Sequence, residues 1–188
     1  MRPIFIWWIG DAKESPALMD HVRRHLGLAF DRPVVPWRAP ERPRHAYDPR
    51  RGQDASGTIL KWLVEAGPPG GKVLGVTDRD LFIPILTYVF GEAQLGGAAA
   101  VVSTARLLGD VDVGEGPHRE RVLVERLAKE AVHEVGHALG LVHCGTEGCV
   151  MSRSPAVREV DEKSSRPCAA CRTRLREIEG GGPGPWRT

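Results

Sequence analysis

At 188 residues the chain is sized for a single domain, long enough to bury about 70% of the surface its unfolded form exposes. With 41% hydrophobic and 27% charged residues it has ordinary globular usage, which excludes a disordered or membrane-embedded chain as a class. A net charge of +2 argues against a dominant nucleic-acid or membrane-surface role, although the arginines and prolines between 31 and 51 can form a local basic patch.

The N-terminal run IFIWWIG is apolar but short. It leads into Gly10, Asp11, Lys13 and Glu14 with no small-residue cleavage site, so it reads as a buried strand and not as a secretory signal. No stretch approaches the roughly 20 apolar residues a membrane-spanning helix needs. A soluble, cytoplasmic protein is expected, with no membrane or nucleic-acid partner, and a reducing compartment favours metal binding over disulfides for its cysteines.

Ser15 and Pro16 are cap and first-turn signals for a helix to about Ala29, with Leu18, Val22 and Leu26 at i, i+4 spacing. RPVVPW is a second extended piece, and the prolines and arginines of 38–51 predict a surface loop. A helix over about 55–66 ends at GPPGG, and KVLGVT follows as a central strand. DRDLFIPILTYVFGEA reads as an irregular connection, and GGAAAVVSTARL has strand character at Val101, Val102, Ser103 and Thr104. Its small residues suit a place where another backbone comes close. Asp110 to Gly116 is a polar loop, Pro117 opens a long helix ending near Gly140, and a cysteine-bearing irregular segment follows. The organisation expected is one domain over 1–178 and a flexible tail over 179–188, EGGGPGPWRT. Strands alternating with helices point to a mixed three-layer α/β domain.

The long helix carries the chemistry. Val124, Ala128, Ala131, Val135, Ala138 and Val142 fall on one stripe suited to packing against a sheet. His133 and His137 continue the opposite stripe of Arg126 and Glu130, turned away from that core. Histidines four residues apart project side by side, about 6 Å apart at their bases, so both imidazoles can reach one ion. Glu134 lies roughly 100° around the helix from His133, beside such an ion, where a carboxylate can work on water. Gly140 can end the helix in a left-handed turn, which lets the chain swing back and bring His143 as a third nitrogen. Three protein ligands leave one position for water, as a catalytic zinc requires. Glu134 would take the proton of that zinc-bound water and return it to the leaving amine. The full pattern H-E-x-x-H-x-x-G-x-x-H is far more specific than H-E-x-x-H alone.

Cys144, Cys149, Cys168 and Cys171 form C-x4-C, eighteen intervening residues, then C-x2-C, close to tetrahedral zinc-site spacing. Four thiolates saturate an ion, so this second zinc would be structural. Two disulfides or a redox C-x-x-C pair are the competing readings. Because His143 and Cys144 are adjacent, their side chains point to opposite sides of an extended segment that would feed both ions. The structural site would then hold the loop that presents His143.

HEVGHALGLVH resembles the extended zinc motif of the metzincin metalloproteases, and Met151 is placed like the methionine of their Met-turn, beneath the zinc histidines. With HCGTEGCVM and CAAC added, the match narrows to the archaemetzincins. Weaker similarity runs upstream through YDPRRGQ, GVTDRDLF, VFGEA and VVSTARL. The resemblance implies a metzincin-like α/β zincin domain, with a mixed twisted sheet packed on an active-site helix and a four-cysteine zinc site near the C-terminus. It also implies aminopeptidase or endopeptidase activity. Metzincins commonly bind substrate as a strand added to a sheet edge, and the small-residue strand from Gly97 to Thr104 is the expected edge. A tyrosine assists the oxyanion in some metzincins, but none follows Tyr88 here.

The function expected is therefore a monomeric zinc metalloprotease acting on peptides or proteins. The alternative is a zinc-stabilised peptide- or protein-binding module with little turnover. Glu134 separates them, because a structural site has no need of an acid beside three histidines.

Overall fold

Ile4, Ile6 and Trp7 are almost wholly buried, and they alternate between two cores. That alternation follows from the period of two of a strand covered on both faces. The computed structural model, which describes residues 2–38, 41–109 and 116–181, places them in β1 (Ile4–Trp8). Around β1 a five-stranded sheet runs in the order β2 (Val34–Pro36), β1, β5 (Lys72–Thr77), β8 (Ala99–Ser103) and β7 (Gly91–Ala93). The first four strands are parallel, and β7 is antiparallel at the edge. Ile4, Ile6, Leu74, Val76, Ala100 and Val102 face one core, shared with α1 (Pro16–Phe30) and α3 (Pro117–Ala138). Trp7, Val73, Ala99 and Val101 face the other, under α2 (Ser56–Ala66). The expected mixed three-layer α/β arrangement is present.

The start signals of α1 act as read: Ser15 Oγ accepts from the Leu18 N–H at 3.4 Å and Pro16 opens the first turn. Residues 38–51 are less loop-like than expected. β3 (Tyr47–Asp48) pairs antiparallel with β4 (Gln53–Ala55), which also pairs with β6 (Leu81–Phe82) in a small second sheet. The Asp48 carboxylate accepts from the Arg50 N–H at 2.8 Å and nucleates the turn. Within 110–116, residues 110–115 lie outside the described residues, as do 182–188 of the expected tail.

Two expectations are corrected. The cysteine-bearing end is not irregular: it forms α4 (Val157–Glu162) and α5 (Ala169–Glu179), the latter burying Leu175 against the main core. Consequently the Arg126 and Glu130 face of α3 is covered, and both residues are only 3% exposed. Arg126 pairs with Asp161 at 2.7 Å. Nor is the Gly97 to Thr104 strand an edge. β8 lies between β5 and β7, Ala99 and Ala100 are fully buried, and β7 takes the rim above α3. The small residues serve close sheet packing, and a three-residue edge strand is too short to leave a periodic signal. Ala100→Leu is accordingly expected to overpack the core and lower stability by about 1–3 kcal/mol, read as a drop in the denaturant midpoint. Among the described residues no helix is long and apolar enough to cross a membrane.

Candidate active site

The last turns of α3 build the site. Gly140 N–H closes on His137 O at 2.8 Å and Leu141 N–H on Gly136 O at 2.9 Å, with Gly140 at φ +100°. That left-handed conformation disfavours any side chain there, and it reverses the chain as expected. Met151 is fully buried beneath this turn. A Cβ on Gly136 would meet its Sδ at 2.5 Å, so the methionine occupies space that only a glycine leaves.

His133 Nδ1 lies 2.8 Å from Val150 O, and His137 Nδ1 lies 2.8 Å from Leu141 O. A carbonyl only accepts, so each Nδ1 carries the ring proton and each Nε2 a lone pair. Those two Nε2 atoms face each other at 3.1 Å. Two lone pairs at that separation repel unless a cation lies near both. Nitrogens bound at about 2.0–2.1 Å to a tetrahedral zinc are about 3.4 Å apart, close to what is seen. His143 completes the group, its ring centroid 4.8 Å from that of His137 and 5.4 Å from that of His133. Burial lowers the pKa of all three, His133 to about 2 and His143 to about 4, so the rings are neutral near neutral pH.

Glu134 is 6% exposed and lines a cleft of about 590 Å³ with Leu86, Tyr88, Phe90, His143 and Arg153. Its pKa is raised by burial first and by Glu130 second. Gly91 of β7 gives it room: a Cβ there would meet Glu134 Cγ and Val101 O, each at 2.6 Å. Glu130 and Lys163, beside His133, form a buried ion pair at 2.9 Å. Burial raises the pKa of Glu130 while the Lys163 ammonium opposes that rise. Sequence reasoning missed this pair, together with Arg153, whose Nε donates to His143 Nδ1 at 3.3 Å. Glu130 had a signal in its helical register, read only as the face turned away from the sheet core. Lys163 had none, because its partner lies 33 residues away in sequence.

The four cysteines also converge. Their Sγ atoms lie within 4.8 Å of one another, with Cys144 to Cys168 and Cys149 to Cys171 both at 3.8 Å. All four are free, and the spacing is far beyond a bond of about 2.05 Å. Thiolates at about 2.3 Å from a tetrahedral zinc are themselves about 3.8 Å apart. A Cys171 backbone hydrogen bond is the main cause that lowers the Cys168 thiol to about 6, whereas burial raises Cys149 and Cys171.

The clusters share a loop. Cys144 N–H donates to Met151 O at 2.9 Å, and Val150, next to Cys149, supplies the carbonyl that orients His133. Cys171→Ser is therefore expected to lower zinc affinity at the histidines about 10- to 100-fold, the effect of disturbing a ligand's supporting contacts. Native mass spectrometry at limiting zinc checks this, and a histidine centre that fills as in the wild type would remove the coupling.

A helix with these ligand types under a mixed sheet, its cleft opening beside a raised glutamate, belongs to the zinc metalloproteases as a class. Peptidase family M54 matches residues 69–177. An archaemetzincin of Methanopyrus kandleri is 38% identical over 167 residues, spanning 88% of this chain and 91% of the relative. The crystal structure of archaemetzincin from that organism aligns with a TM-score of 0.82 at 34% identity, covering 95% of this chain and 96% of the other. A zinc-dependent peptidase from Methanocorpusculum labreanum aligns at 0.79 and 28% identity, covering 92% and 99%. The chain belongs to the archaemetzincins, peptidase family M54, and is a zinc metalloprotease.

Proposed function

We propose that the protein hydrolyses peptide bonds in the cleft between β7 and α3, with Glu134 as the proton-transfer group. His133, His137 and His143 hold the catalytic zinc, and Cys144, Cys149, Cys168 and Cys171 hold a second, structural one. The observation that carries this reading is the pair of unprotonated Nε2 atoms 3.1 Å apart, each ring committed through Nδ1 to a carbonyl.

When bound, zinc supplies Lewis acidity that polarises a carbonyl and brings the pKa of water towards about 7. If His143 held zinc through Nε2, its ring proton would sit on Nδ1 and the exposed Arg153, which now donates to Nδ1, would have to release it. Arg153 is then a free positive charge in the cleft, able to face the charge that develops on the substrate carbonyl oxygen. Burial raises the pKa of Glu134, which favours a carboxylate that accepts a proton and returns it to a departing amine. The edge of β7 offers main-chain groups to an extended peptide, and Leu86, Tyr88 and Phe90 form an apolar rim for its side chains. Four thiolate ligands suit a reducing cytoplasm, where we place the enzyme as a monomer.

The test is a diverse peptide mixture followed by mass spectrometry, with zinc-loaded and chelator-stripped protein compared. Cleavage only with zinc supports the proposal, and the product ends separate aminopeptidase trimming from internal cutting. No cleavage with zinc bound at both clusters would leave a zinc-stabilised peptide-binding module.

A further inference from the structure

His21 and His25 stand one turn apart on α1, their rings stacked with centroids 4.2 Å apart and planes inclined by 29°. Across from them, on α3, Glu125 brings its Oε1 to 3.1 Å from His21 Nε2. One donor atom from each of the three lies within 4.8 Å of the other two. We propose that His21, His25 and Glu125 form a separate site for a divalent transition cation of zinc's class, joining α1 to α3.

The first support is an orphaned atom. His21 Nε2 is enclosed from water yet has no hydrogen-bond partner, because the Glu125 oxygen sits at ion-pair distance but off the axis a ring N–H would need. A cation can sit on the lone-pair axis of His21 Nε2, where the Glu125 oxygen does not, and the stacked His25 ring would turn to bring its own lone pair onto the same ion. The second support is the tautomer of the neighbour. His25 Nδ1 donates to His21 O at 2.9 Å, which leaves its lone pair on Nε2, the arrangement typical of ligating imidazoles. Two imidazoles and a carboxylate are a donor set that zinc accepts.

Arg24 opposes the site. Its Nη2 lies 3.0 Å from His21 Nδ1, and an ion on Nε2 would put the ring proton on Nδ1 and displace this exposed guanidinium. Glu125 precedes His133 by about 12 Å of helix, so filling the site would clamp the stem of the active-site helix to α1.

Zinc is titrated by calorimetry into the full-length protein and four variants. The wild type is expected to bind one equivalent more than His25→Ala or the size-conserving His25→Gln. Glu125→Gln should weaken that extra equivalent by at least about tenfold. Arg24→Ala should tighten it about fivefold by removing a nearby positive charge, a gain that a damaged fold cannot produce. Equal stoichiometry in wild type and both His25 variants, unchanged affinity in Glu125→Gln, or no gain in Arg24→Ala would each overturn the site.

Discussion

Glu134→Gln lowers peptide turnover by about 10²- to 10⁴-fold and leaves the zinc content of the chain unchanged, the range general acid–base groups contribute. Glutamine keeps the volume that Gly91 leaves for this side chain, so β7 and α3 hold their spacing. What is lost is a carboxylate whose raised pKa equips it to take and return a proton. The proposed ligands His133 and His137 keep their Nδ1 contacts to Val150 O and Leu141 O. Turnover and zinc stoichiometry measured on the same preparation check this, and undiminished cleavage by the variant would remove Glu134 from proton transfer.

Lys163→Met is expected to cost about 3–5 kcal/mol of stability, the penalty for leaving one partner of a buried ion pair uncompensated. The Lys163 and Glu130 side chains are 1% and 4% exposed, so water cannot stand in for the missing ammonium. A domain of ordinary stability, about 5–15 kcal/mol, would lose a third or more of it. The double variant Lys163→Met with Glu130→Leu removes both charges and should recover most of the loss. Denaturant midpoints decide: a single variant as stable as the wild type, or a double no better than the single, would sink this account of the pair.

The histidine constellation was legible because helical geometry is local. A period of 3.6 residues sets His133 and His137 on one side, and Gly140 is where a residue without Cβ can take φ +100°. The cysteine spacing was legible for the same reason, since four soft ligands in two short pairs have few uses. α5 was not, because its CAAC start reads as a metal knuckle and its helical face is narrow. β7 escaped notice as a three-residue strand, and the small residues of β8 were mistaken for an edge when they are the mark of a crowded interior.

By itself the sequence determined the residue types of the proposed ligands, their spacing on α3, the glycine turn and the buried, central character of β1 and β5. Each of these depends only on bond geometry and on side chains a few residues apart. Only the tertiary structure decided that β7 holds the rim of the cleft, that Lys163 answers Glu130 across 33 residues, and that Val150 orients His133. Those are contacts between distant segments, chosen by how helices and strands pack, and no local period encodes them.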